Sequence, residues 1–151
     1  MKIDGVPYRT IWPAADGAVE ILDQTLFPHR FEILRLTGLE EAAHAIRSMQ
    51  VRGAPLIGAT AAYGLALALR RDASDAGLAS AAAALLATRP TAVNLHWALE
   101  RMKAVLAPLP PAARAEALVG SDRQPGGATP PSPPSGRCTS CSATTRRSGA
   151  A

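Results

Sequence analysis

The sequence predicts an α+β fold, with a small N-terminal antiparallel β-sheet followed by a helical bundle. Three observations carry this expectation. Before residue 37 the apolar residues come in short runs rich in β-branched and aromatic side chains, interrupted by turn residues. Beyond it they recur at helical spacing in longer segments punctuated by Pro, Ser and Asp. Alanine supplies 28 of the first 118 residues and is concentrated in those segments. Alanine favours the helix, and its small side chain lets neighbouring helices approach closely.

Tyr8–Trp12 and Val19–Leu22 are the first two expected strands, and Pro13–Ala18, with Asp16-Gly17, suits the hairpin turn between them. Phe31–Leu36 alternates only in part and reads as a third strand, covered on one face. Thr37 with Glu40 forms a T-x-x-E capping box that opens a helix. Leu39, Ala42, Ala43, Ile46 and Met49 share its apolar face. After a break at Gln50–Ala54, Pro55 suits the first turn of a second helix running to about Arg70. Ser74 and Asp75 start a third, ending near Thr88. A fourth begins at Pro90–Thr91 and carries Val93, Trp97, Leu99, Met102 and Leu106 to about Ala107. A last short helix is expected over Ala112–Leu118.

Residues 119–151 differ in kind. They hold five Pro, five Gly, six Ser and four Thr, and Val119 is their only large aliphatic residue. Such a stretch buries too little apolar surface to offset chain entropy, so the expected division is a folded unit at 1–118 and a low-complexity tail at 119–151. The charge divides there too. Residues 1–118 carry 12 Lys and Arg against 11 Asp and Glu, whereas the tail carries four Arg against Asp122 alone. The pI near 9.7 therefore belongs largely to the tail. No aromatic residue is interleaved with Arg137, Arg146 and Arg147 for base stacking, so a nucleic-acid partner is not expected.

Cys138 and Cys141 form a lone C-x-x-C without a second pair or a nearby His, so neither a four-ligand metal site nor a redox motif is expected. The body has no cysteine, which fits a cytoplasmic location. Met1–Trp12 contains Lys2, Asp4 and Arg9 and lacks the apolar core of a secretory signal. Gly53–Leu69 is an uncharged run of 17 residues. It falls short of the roughly 20 that cross a bilayer, so it reads as a helix buried in a globular core, with no membrane partner.

The informative local pattern is repeated. Arg52-Gly53-Ala54-Pro55 ends a loop and enters a helix, and Arg89-Pro90-Thr91 does the same. Helix N-termini present unpaired N–H groups and the positive end of the dipole, which suits phosphate. An arginine ahead of each adds a fixed cation, and Gly53 permits close backbone approach. The same residues also read as solvated arginines beside proline-started helices; physics alone leaves both open.

Six ordered stretches resemble the N-terminal part of the methylthioribose-1-phosphate isomerase family. They are Val6–Trp12, Leu22–Leu26, Pro28–Phe31, Ala45–Pro55, Gly58–Gly64 and Thr88–Leu95. The resemblance spans 1 to about 118. Regulatory subunits of a eukaryotic translation-initiation exchange factor and ribose-1,5-bisphosphate isomerase share that fold with looser likeness. The resemblance implies an aldose–ketose isomerase of methionine salvage that acts on 5-methylthioribose 1-phosphate as a homodimer without a cofactor. It implies substrate contacts at Arg52, Gly53, Ala54 and Arg89. Asn94 reads equally as a pocket, core or capping residue. Tyr63 and Trp97 read as core aromatics, and His29, His44 and His96 lack partners at catalytic spacing.

In that family the proton transfer falls to a cysteine and an aspartate of a following Rossmann-like domain. Residues 119–151 contain neither segment, and Cys138 does not match, so no catalytic residue is assigned. The break near Leu118–Val119 is expected to reflect a frameshift or truncation, or alternatively a natural linker. The bundle is then expected to present an apolar face. The competing functions are a non-catalytic module binding sugar phosphate or nucleotide, or a ribose-1,5-bisphosphate isomerase relative.

Overall fold

The computed structural model describes residues 2–3 and 6–114. Its three-stranded antiparallel sheet has the order β3-β4-β5, formed by Ile11–Pro13, Val19–Leu22 and Ile33–Leu36. In register, Ile21 lies between Ile11 and Leu34, and Glu20 between Trp12 and Arg35. Period-two alternation therefore sends Val19, Ile21 and Leu36 toward the helices. Pro13 is tolerated because β3 is an edge strand. A second antiparallel pair, β1 (Lys2–Ile3) with β2 (Val6–Pro7), was not anticipated from the sequence.

The expected first and third strands are shorter than their apolar runs, and both for the same reason. Tyr8 and Phe31 leave the ladders and meet edge to face, with ring centroids 4.9 Å apart. With Trp12 and Leu22 they cover the sheet face opposite the helices, so β5 does not belong to a sheet packed on one side only. The 14–18 turn matches expectation: Gly17 has φ +85°, and the Asp16 carboxylate accepts the Ala18 N–H at 3.2 Å.

Helix α1 spans Leu39–Arg47, and its cap lies one residue later than the T-x-x-E reading. Glu41, not Glu40, closes it: its carboxylate accepts the Thr37 N–H at 2.6 Å, the Gly38 N–H at 2.7 Å and the Thr37 hydroxyl at 2.9 Å. The Thr37 backbone bond is the first cause that lowers the Glu41 pKa, joined by the Thr37 hydroxyl, the Gly38 N–H and Arg71, against partial desolvation. Since the folded pKa lies below the ordinary value, the cap contributes above pH 4.5 and is lost as pH falls through the lowered pKa. Glu41→Gln should cost about 0.5–1 kcal/mol at pH 7, because the site is exposed, and its difference from the parent should vanish at acid pH. Urea titrations at pH 7 and pH 3 check this; an equal difference at both removes the charge from the explanation.

Met49, expected on the apolar face of α1, is past its end. The helix stops at Arg47, and Met49 has φ +62° and is exposed. Helix α2 (Ala54–Leu69) is the central element and packs against α1, α3 (Asp75–Leu86) and α4 (Val93–Leu106). It buries Ile57, Ala61, Leu65 and Leu69, among others, as its all-round apolar sequence requires. Ser74 caps α3 by accepting the Gly77 N–H at 3.0 Å.

Helix α4 starts later than expected and turns a different face inward. It buries Leu95, Leu99 and Leu106, while Val93 is 78% and Trp97 62% exposed, with the Arg101 guanidinium 5.6 Å from the indole centroid. Trp97 is thus not a core aromatic. Val93, Trp97, Arg101 and Val105 form one i,i+4 row, and Val105 is also exposed. Of the expected last helix at 112–118, residues 112–114 are helical, the helix beginning one residue earlier at 111, and the rest lies outside the described residues, as do the tail and its two cysteines.

Candidate functional site

The four helices divide by how they begin. Helices α1 and α3 carry acidic residues in their first turns, and a side-chain oxygen satisfies backbone donors at each start. Helices α2 and α4 have neither: Gly53 and Ala92 are their N-caps, no side chain caps them, and no first-turn residue is acidic. Their leading N–H groups and dipole ends are left for solvent or a ligand.

Short connections make successive helices antiparallel, so α2 and α4 run the same way. Gly58 shows that their starts are neighbours. A β-carbon there would sit 3.4 Å from the Ala98 Cβ and 3.5 Å from the Asn94 carbonyl oxygen. The Arg52-Gly53-Ala54 loop and the turn following Arg89 therefore share one end of the bundle. In that turn the Ala92 N–H reaches the Arg89 carbonyl at 3.0 Å.

Gly53 adopts φ +93°, a region costly for residues with a β-carbon, although nothing lies within 4 Å of where one would stand. Its requirement is backbone conformation, and the space beside it is open. Pro55 lies within the first turn, where its missing N–H costs no helical bond. Arg52 is exposed, and its Nε donates to the Met49 carbonyl at 3.3 Å. Among the described residues neither Arg52 nor Arg89, which is half-buried, pairs with a carboxylate. Two cations without internal counter-ions beside two uncapped helix starts suit an anion.

Sequence reasoning missed what holds this loop. After β4 the chain turns at Asp23-Gln24-Thr25, and the Gln24 side chain accepts the Arg52 N–H at 3.0 Å. The Gln24 N–H donates to the Gln50 carbonyl at 2.9 Å, and the Gln50 amide reaches Asp23 at 3.4 Å. The Asp-x-Thr pattern of a side-chain-closed turn was the available signal, since the Asp23 carboxylate accepts the Thr25 N–H at 2.8 Å.

The other singled-out residues separate. Asn94 is exposed at the second position of α4, Tyr63 is half-buried against the core, and His29, His44 and His96 are exposed on three different segments. Two described clefts, of about 710 and 670 Å³, both run along α1 and are lined by none of Arg52, Gly53, Ala54 or Arg89. Among the described residues no helix is long and apolar enough to cross a membrane.

Residues 50–119 match the model of the Initiation factor 2 subunit family. A methylthioribose-1-phosphate isomerase of Methylobacterium nodulans is 70% identical over 116 residues, covering 76% of this chain and 32% of that protein. The crystal structure of 5-methylthioribose 1-phosphate isomerase from Pyrococcus horikoshii is 36% identical, with TM-score 0.67, over 74% of this chain and 34% of that one. The translation initiation factor eIF-2B subunit delta from A. fulgidus is 33% identical, with TM-score 0.63, over 77% and 38%. The chain spans about a third of the length of the curated relatives it matches first. Over this N-terminal portion the chain is similar to the methylthioribose-1-phosphate isomerases, and its residues 50–119 carry the domain of the Initiation factor 2 subunit family.

Proposed function

We propose that this chain forms the sugar-phosphate-binding part of an aldose–ketose isomerase site, with Arg52, Gly53, Ala54 and Arg89 as the ligand contacts. The supporting observation is the pair of adjacent helix starts, both uncapped and free of acidic residues, each preceded by an arginine that has no carboxylate partner among the described residues. A phosphate there accepts N–H groups from backbone that nothing else satisfies, and two guanidinium groups balance its charge. The relatives' name supplies the ligand, 5-methylthioribose 1-phosphate. Its isomerisation moves hydrogen between C1 and C2 of a sugar whose C1 is blocked by phosphate, so a proton carrier must stand beside the opened ring. No residue of this chain is assigned that task. Residues 1–118 act as the binding unit, 119–151 take no part, and a homodimer in the cytoplasm accompanies this reading.

Binding without turnover is the expected result. Trp97, exposed one turn into α4, serves as the fluorescent reporter for titration with 5-methylthioribose 1-phosphate. Arg52→Ala and Arg89→Ala should each weaken binding about 10- to 100-fold, the worth of a charge-assisted hydrogen bond. No ketose should form with the chain alone; turnover would overturn the assignment of binding without chemistry. The likeness to an eIF-2B subunit favours a second reading, a regulatory module that binds a nucleotide or sugar phosphate. Displacement of the fluorescence signal by a nucleoside monophosphate at equal concentration would favour it.

A further inference from the structure

We propose that Gln24 is a positioning residue for the phosphate loop, and that the 23–25 turn is the template on which residues 49–53 take their shape. This deepens the sugar-phosphate reading and rests on it. The loop holds two residues in the left-handed region, Met49 at φ +62° and Gly53 at φ +93°. A non-glycine residue in that region is strained by the crowding of its own Cβ, so Met49 stays there only where surrounding contacts over-determine it.

Some of those contacts are local, the Met49 N–H on the Ile46 carbonyl at 3.4 Å and the Val51 N–H on the Ala45 carbonyl at 3.3 Å, and the flanking Gln50 and Arg52 are held by a turn more than twenty residues earlier. Asp23 is 6% exposed, and its carboxylate is fully engaged: one oxygen accepts the Thr25 N–H at 2.8 Å and the Thr25 hydroxyl at 2.5 Å. The other accepts the Gln50 amide at 3.4 Å. Gln24 then grips the loop at two points, its N–H on the Gln50 carbonyl at 2.9 Å and its side-chain oxygen on the Arg52 N–H at 3.0 Å. The second bond sets the Val51–Arg52 peptide plane, one peptide ahead of the Arg52–Gly53 link. It consumes the Arg52 N–H, so the donors that remain for an anion are those of Gly53 and the first turn of α2. It also anchors the Arg52 main chain while its guanidinium stays exposed. A loop that is ordered before binding loses less entropy on taking up its ligand.

Two variants separate this from general stability. Gln24→Met keeps the side-chain length without the acceptor, and Gln24→Glu keeps an acceptor oxygen. In the full chain, Gln24→Met should speed amide hydrogen exchange of Arg52 about fivefold to tenfold while Leu65 and Leu99 keep their protection. It should weaken 5-methylthioribose 1-phosphate binding, followed by NMR at the Gly53 and Ala54 amides, by about the same factor. Gln24→Glu should leave the Arg52 amide protected; rapid exchange there overturns the proposal, including where the methionine variant does not fold. Unchanged Arg52 exchange and affinity in Gln24→Met overturns the positioning role while the ligand reading stands. Absence of ligand-induced shifts at Gly53 and Ala54 in the parent chain overturns the sugar-phosphate reading, and this proposal with it.

Discussion

Replacing Arg114 with methionine is expected to destabilise the bundle by about 3 kcal/mol, roughly 1 kcal/mol or more for each carbonyl left without its donor. The Arg114 side chain is 3% exposed. Its Nε donates to the carbonyls of Leu106 and Leu109 at 3.0 and 2.9 Å, and Nη2 reaches the Ala107 carbonyl at 3.2 Å. The Leu106 and Ala107 carbonyls lie where α4 ends, at the negative end of its dipole, and Leu106 also accepts the Leu109 N–H at 3.1 Å. Across the bundle, Nη1 donates to the Ala73 carbonyl at 2.9 Å and Nη2 to the Asp75 carboxylate at 2.6 Å. One guanidinium thus joins the end of α4 to the loop before α3. Methionine keeps the stem's packing and removes all the donors, leaving several carbonyls without partners. Asp75 is exposed, so the ion pair itself contributes little and most of the loss falls on the carbonyls. Lysine should recover only part of it, since an ammonium cannot span the fork. Urea denaturation measures the effect, and a change below about 1 kcal/mol for Arg114→Met would mean that water replaces the guanidinium at no cost.

The second large effect lies at Gly64, midway along α2. By helix propensity alone, Gly64→Ala should stabilise by about 1 kcal/mol. Packing reverses the sign. A β-carbon at Gly64 would stand 2.8 Å from the Ala42 Cβ of α1 and 3.3 Å from a Leu85 methyl of α3, and Ala42 cannot rotate away. Gly64→Ala is therefore expected to cost about 1–2 kcal/mol, and Gly64→Val about 3 kcal/mol or more. The distinguishing measurement is a double-mutant cycle. Ala42→Gly should be destabilising in the parent and restore stability in the Gly64→Ala chain, because it removes the atom being struck. Additive effects would show that the helices separate freely, and would defeat the packing account.

Both positions show where sequence reading stops. The α+β class, the order of elements and the helix starts at Ser74 and Gly53-Ala54-Pro55 were legible because they depend on local chemistry: β-branched runs, hydroxyl caps, and a proline without its N–H. The alanine-rich composition likewise announced close helix packing, and Ala42, Ala61, Ala81 and Ala82 are all buried. The inward face of α4 was misread because Val93 and Trp97 are as apolar as Leu95 and Leu99, and hydropathy cannot say which side meets α2. Glu40 and Glu41 are equally plausible caps on paper, and the extended backbone of Gly38 decided between them.

The same division holds at the candidate site. Arg52, Gly53 and Arg89 stood out because each lies just ahead of a helix start in the chain, but that pattern left solvated arginines equally open, and the assignment of Arg52, Gly53, Ala54 and Arg89 as contacts came from the family resemblance. Gln24 and Arg114 could not be singled out. Their partners lie 28 and up to 41 residues away, and a glutamine or an arginine alone carries no mark of the carbonyl or N–H it will meet. By itself the sequence determined the order of the three main strands and four helices and that an arginine precedes two of the helix starts. Only the tertiary structure decided that two such starts lie side by side. Helical hydrogen bonds close within four residues, whereas that adjacency depends on the packing of α2 on α4, whose residues lie about forty positions apart in the chain.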